Sequence, residues 1–148
     1  MKSPLTIMIV EDDEGHAVLI HENLGEQLGL TDRVEHLRDG QAVLDFFFDR
    51  SGRGVNRPVG HYLILLDIRM PKVDGIEVLR RLKADPELRK LPVIILSTTD
   101  DEREVERCHA LGCNGYLQKP VDSDKFAEEM RCLGMFVSLL LVPAVSPA

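Results

Sequence analysis

Three acidic residues, a hydroxyl and a cation stand where short apolar runs of this chain end. Glu11 and Asp12 follow Leu5 to Val10 directly, and Asp67 follows Leu63 to Leu66. Ser97 follows Val93 to Leu96, and Lys119 lies just beyond Gly115 to Leu117. If these runs are parallel strands of one sheet, their carboxyl ends share an edge, and open α/β sheets bind ligands there, near the point where strand order reverses. Clustered carboxylates repel one another, and a hard divalent cation relieves the repulsion. Mg²⁺ suits the set because it takes oxygen ligands, keeps several waters and shares its sites with phosphate. Held by Asp12 and Asp67, it would offset the charge of an incoming phosphoryl group, while Ser97 and Lys119 hold the other oxygens. Asp67 is then the nucleophile, and its product is an aspartyl phosphate.

Each position also has a plainer reading. Acids just past a strand cap the next helix, and Asp12 or Asp13 could do only that for a helix starting near Glu14. Asp67 could be a turn residue before Met70-Pro71, and Lys119-Pro120 an ordinary loop dipeptide. Acid, acid, hydroxyl and cation together at four strand ends are hard to credit to capping, and the coincidence decides for a shared pocket.

The elements that must position these groups follow from periodicity. The five runs, with Val34 to Leu37 as the second, read as strands, and LTIMIV, LILL and VIIL are apolar throughout, as expected of parallel strands covered on both faces. Helical patterns lie at roughly Glu14 to Gln27, Gln41 to Phe48, Ile76 to Ala84, Glu102 to Leu111 and Ser123 to Leu139. Strand alternating with helix implies right-handed crossovers and an α/β fold: a doubly wound, five-stranded parallel sheet with helices on both faces. The flavodoxin-like order 2-1-3-4-5 would make the first and third strands neighbours and bring the three carboxylates together. Residues 49–60, DRSGRGVNRPVG, read as an extended surface loop.

Length and composition bound the answer. At 148 residues, 44% hydrophobic and 29% charged, the chain suits one globular domain. Its net charge of −7 argues against nucleic acid as a partner. Cys108, Cys113 and Cys132 form no disulfide or zinc pattern. The start is a poor signal peptide, and the apolar stretch from Leu133 to Val142 is too short to span a bilayer, so no membrane association and a cytoplasmic location are expected.

The motifs IMIVEDD at Ile7 to Asp13, LILLDIRMPKVDG at Leu63 to Gly75, LPVIILST at Leu91 to Thr98 and GYLQKP at Gly115 to Pro120 resemble the response-regulator receiver domain. The similarity covers Leu5 to about Leu133, and taken jointly the motifs are highly specific. The resemblance implies a two-component signalling switch, not an enzyme with a separate substrate. A sensor histidine kinase would phosphorylate Asp67, with Asp12 and the backbone carbonyl of Arg69 on Mg²⁺ and Glu11 acting through a metal-bound water. Ser97 matches the hydroxyl that follows the phosphoryl oxygen, Lys119 the lysine that pairs with phosphate, and Tyr116 the aromatic switch. Arg69 and Thr99 match positions that tune phosphate lifetime. Glu11 departs from the more usual Asp. The loop before the third strand, the segment Lys83 to Pro92 and a short tail resemble phytochrome-associated single-domain regulators, which makes a bacteriophytochrome the narrower candidate for the kinase.

The resemblance implies one receiver domain over residues 1–148, with a core of about 5–133 and an apolar extension at 134–148. No output domain is expected, so signalling would run through protein contacts. Phe126, Met130, Leu133, Val137 and Leu141 share a helix face that should meet the sheet, while Met135, Phe136, Leu139 and Leu140 cover much of the rest. A helix apolar on nearly all sides needs a second cover. Homodimerisation through the last helix is the expectation, ahead of a tail that folds back on its own domain.

Overall fold

Side chains of the first strand alternate between two buried layers, and that alternation sets the architecture. The structure, a computed structural model, describes residues 5–25, 33–48, 60–70, 72–137 and 144–145. The elements run β1 (Leu5–Val10), α1 (Glu14–Gly25), β2 (Arg33–Leu37), α2 (Gly40–Phe47), β3 (Gly60–Asp67), α3 (Gly75–Ala84), β4 (Val93–Ser97), α4 (Glu102–Leu111), β5 (Gly115–Gln118), α5 (Ser123–Val137) and β6 (Ala144–Val145), with a short 3₁₀ turn at Leu88–Lys90. In β1, Ile7 and Ile9 pack with Leu63, Leu65 and Leu96 beneath α1 and α5. Met8 and Val10 pack with Ile64, Leu66 and Ile95 beneath α2 and α3 on the opposite face. Both layers bury apolar groups, so an uninterrupted apolar strand is what the sheet requires.

The five long strands are parallel in the order β2-β1-β3-β4-β5, as expected. Register carries the consequence for chemistry. Val10 stands opposite Leu66, Asp67 opposite Leu96, and Ser97 opposite Gln118. The residues that follow β1 and β5 therefore emerge level with the ends of β3 and β4. The strand-end coincidence in the sequence is a spatial one.

α5 behaves as its pattern predicts. Phe126, Met130, Leu133 and Val137 are buried against the sheet, whereas Met135 and Phe136 are each 57% exposed. Leu139, Leu140 and Leu141 fall outside the described residues, as do Pro71, the end of the first expected helix at Gln27, and residues 49–59 of the expected surface loop. β3 begins three residues before its apolar run, because His61 and Tyr62 pair with Leu5 and Thr6 of β1. β6 was not foreseen. Val145 and Ala144 pair antiparallel with Gly60 and His61, and the Val145 side chain is fully buried. At these two residues the tail does return to its own domain.

Candidate functional site

Capping settles which acids are available. The Asp13 carboxylate accepts the His16 N–H at 3.0 Å and its carbonyl accepts the Ala17 N–H at 3.0 Å, so Asp13 caps α1. Glu11 and Asp12 are left to the pocket. The Glu11 N–H donates to the Leu37 carbonyl at 3.0 Å, which prolongs the β1–β2 ladder and holds Glu11 at the sheet edge. Glu11 is buried and Asp12 exposed. Asp67, the last residue of β3, is buried as well. α3 starts close behind it, with the Gly75 N–H on the Ile68 carbonyl at 2.8 Å. A Cβ on Gly75 would lie 2.4 Å from the Asp67 carbonyl oxygen, so only glycine permits this approach.

Lys119 closes the pocket from the β5 side. Its N–H donates to the Ser97 carbonyl at 2.6 Å, which fixes where the side chain starts. The ammonium donates to Glu11 Oε1 and stands 3.6 Å from Asp67 Oδ2. It also lies 3.4 Å from His16 Nδ1, a neighbour the sequence did not reveal. Burial drives the Asp67 pKa up to about 7, helped by the hydrogen-bonded Glu11 carboxylate and opposed by Lys119 and the Arg69 N–H. Glu11, Asp12 and Asp67 each bring one oxygen within 4.8 Å of the others. Among the described residues, the buried Glu11 Oε2 has no hydrogen-bond partner. An orphaned carboxylate oxygen beside two more carboxylates is the donor set that a hard, partly hydrated divalent cation completes.

The remaining expected residues gather one step away, around a side chain that was not expected. The Ser97 hydroxyl donates to Glu104 Oε2 at 3.3 Å. The Tyr116 hydroxyl lies 2.6 Å from the same oxygen and 2.9 Å from the Thr99 carbonyl. Arg69 Nη2 is 3.7 Å from Glu104 Oε1, while the Arg69 N–H donates to Asp67 Oδ1 at 3.3 Å. Thr99 is a turn residue here. Its N–H donates to Ser97 Oγ at 3.3 Å, and its hydroxyl accepts the Asp101 N–H at 3.1 Å. Burial, with Glu104 accepting its proton, pushes the Tyr116 pKa up to about 12. The sequence gives no signal for Glu104, one of three glutamates in the first five residues of α4.

The family model for the response regulator receiver domain matches residues 7–131. The chain belongs to that family. This receiver is 40% identical over 133 residues to the probable methanogenesis regulatory protein FilR2 of Methanothrix harundinacea, covering 88% of this chain and 83% of the relative. A receiver-domain structure from Rhodospirillum rubrum superposes with a TM-score of 0.87 at 40% identity, covering 93% of this chain and 96% of the other. The phosphorylated cyanobacterial phytochrome response regulator RcpA superposes with a TM-score of 0.81 at 29% identity, covering 97% and 99%. The receiver is accordingly a switch in two-component signalling, whose chemistry is phosphotransfer rather than turnover of a separate substrate. Its acidic cluster can coordinate a metal ion. Among the described residues, no helix is long and apolar enough to cross a membrane.

Proposed function

We propose that Asp67 accepts a phosphoryl group from a sensor histidine kinase, and that Lys119 and Ser97 hold the transferred group. The observation that carries this reading is Lys119, whose buried ammonium stands 3.6 Å from Asp67 Oδ2 while bonded to Glu11. In the transfer, the P–N bond of the kinase phosphohistidine breaks and a P–O bond to Asp67 forms. Positioning and charge neutralisation do the catalytic work. Lys119 is already placed to exchange a carboxylate for a phosphoryl oxygen, and the Arg69 N–H orients Asp67 through Oδ1. Asp12, Asp67 and the Arg69 carbonyl would hold Mg²⁺, with Glu11 acting through a water. The bound ion supplies positive charge against the phosphoryl oxygens. Ser97 and Tyr116 report phosphorylation to the surface formed by α4, β5 and α5, and Arg69 and Thr99 set how long the phosphate persists.

Residues 1–148 act as one cytoplasmic receiver domain that signals through protein contacts. A bacteriophytochrome is the kinase this reading favours, supported by the likeness to RcpA, itself a phytochrome response regulator. A second copy of the chain is the partner proposed for α5. Met135 and Phe136 are exposed there, and Phe136 borders a groove of about 540 Å³ shared with Tyr116, Leu117 and Leu133.

Beryllofluoride with Mg²⁺ tests the phosphoacceptor reading, because it imitates the phosphoryl group on Asp67. The expected result is a rise in melting temperature that needs both reagents and is lost in Asp67→Asn. Phosphorylation of Asp67→Asn at the parent rate would overturn the assignment.

A further inference from the structure

We propose that Glu104 is the positioning residue that carries the state of the phosphoacceptor pocket to Tyr116 and α4. The inference rests on the phosphoacceptor reading above. Its basis is the convergence of three donors, each from a different element, on one carboxylate. The Ser97 hydroxyl at the end of β4, the Tyr116 hydroxyl of β5 and the Arg69 guanidinium beyond β3 all approach Glu104. Two of them, Ser97 and Tyr116, share a single oxygen, Oε2.

The competition follows from proton counting. A serine hydroxyl has one proton, so Ser97 can donate to Glu104 or to a phosphoryl oxygen, but not to both. Arg69 can be withdrawn as well. Its side chain is 67% exposed, and a phosphoryl group of nearly two negative charges on Asp67 attracts it more strongly than one carboxylate does. Phosphorylation therefore strips Glu104 of two of the three donors named above. The carboxylate is only 16% exposed, so the lost bonds are poorly replaced by water. The Tyr116 hydroxyl, whose single proton faces both Glu104 Oε2 and the Thr99 carbonyl, is then held by Oε2, the acceptor left short of donors. The Tyr116 ring is thereby fixed against Glu104, and Glu104 carries the change into the first turns of α4. The switch is an exchange of hydrogen bonds at one acceptor, which gives the two-state element that a population shift requires.

The protein supplies its own reporter. It has no tryptophan, and Tyr62 and Tyr116 are its only tyrosines. In a Tyr62→Phe background, emission reports Tyr116 alone, and its sensitivity to a carboxylate partner makes it a direct readout of the bond to Glu104. Emission is followed on adding beryllofluoride and Mg²⁺, and acetyl phosphate labelling is measured in parallel on a phosphate-affinity gel. For Glu104→Ala the expected result is labelling within about threefold of the parent, with the emission change reduced at least fivefold. Glu104→Gln keeps the size and an acceptor oxygen, and should recover at least half of that change. It also serves should the alanine variant fail to fold. An undiminished emission change in Glu104→Ala overturns the proposal, as does a silent Glu104→Gln that still takes up label. A parent protein that takes up no label would instead overturn the phosphoacceptor reading, so the two failures are distinguishable.

Discussion

Lys119 and Glu11, 108 positions apart in sequence, form an ion pair with both side chains almost fully shielded from water. One is brought in by β5 and the other by β1, and the bond spans the ends of β3 and β4 to join them. Breaking one half of a buried pair leaves the other charge uncompensated. Lys119→Met should lower stability by about 3 kcal/mol, read as a fall in urea midpoint at unchanged slope. An unaltered midpoint would show that the pair contributes nothing to the fold.

The raised Asp67 pKa has a defined sign. Its folded value, about 7, lies above the ordinary 3.8, so the folded protein holds this proton more tightly than the unfolded chain does. The associated stability is complete below about pH 4 and is lost as pH rises through about 7. Asp67→Asn removes that loss. It should stabilise the metal-free protein by about 2 kcal/mol more at pH 8 than at pH 4. Melting curves at the two pH values decide it, and a gain that does not grow with pH contradicts the account.

Gly75 sets how near α3 comes to Asp67. A methyl group there meets the Asp67 carbonyl at 2.4 Å and the Ile68 Cα at 2.7 Å, both backbone atoms that have nowhere to go. Gly75→Ala should cost about 2 kcal/mol and slow labelling of Asp67, because relief of the clash moves the acid out of line with Lys119. Parent-like labelling in a destabilised variant would confine the glycine's role to packing.

Much of this site was legible because it sits at strand ends. Asp67, Ser97 and Lys119 follow apolar runs, and a parallel sheet turns that sequence position into a place. Asp13 shows the limit of such reading. Three adjacent acids cannot be sorted into cap and ligand until the start of α1 is known, and only the bond to His16 assigns the cap. Glu104 was illegible for a different reason. It lies on a helix of alternating charge that looks solvated, and what distinguishes it is its approach to β4 and β5, a tertiary fact. β6 was missed because two residues offer no periodicity to detect.

Arg69 is bound to Glu104, not folded over the carboxylates, so its exposed stem is free to shield the face of Asp67 once the guanidinium turns toward phosphate. Arg69→Ala should shorten the life of the aspartyl phosphate about threefold, equivalent to about 0.65 kcal/mol in the hydrolysis barrier. Decay of the labelled protein, followed in time, measures it directly. Identical half-lives would remove Arg69 from that role.

Phe136 tests the proposed self-association. A charge placed at its exposed ring should abolish pairing of α5 surfaces while leaving the sheet-facing residues intact. Phe136→Glu is expected to sediment as a monomer at concentrations where the parent is a dimer. Equal sedimentation of both would exclude this face.

Ala144 and Val145 dock on Gly60 and His61, at the end of β3 remote from Asp67. β1 already lines one side of His61, and β4 starts only opposite Ile64. The tail thus fills the stretch of β3 that its neighbour arrives too late to cover. An unguarded strand border is a template for intermolecular pairing, and here a two-residue clasp caps it. With β1 on one side and the clasp on the other, His61 offers no open border on which a second chain could add a strand.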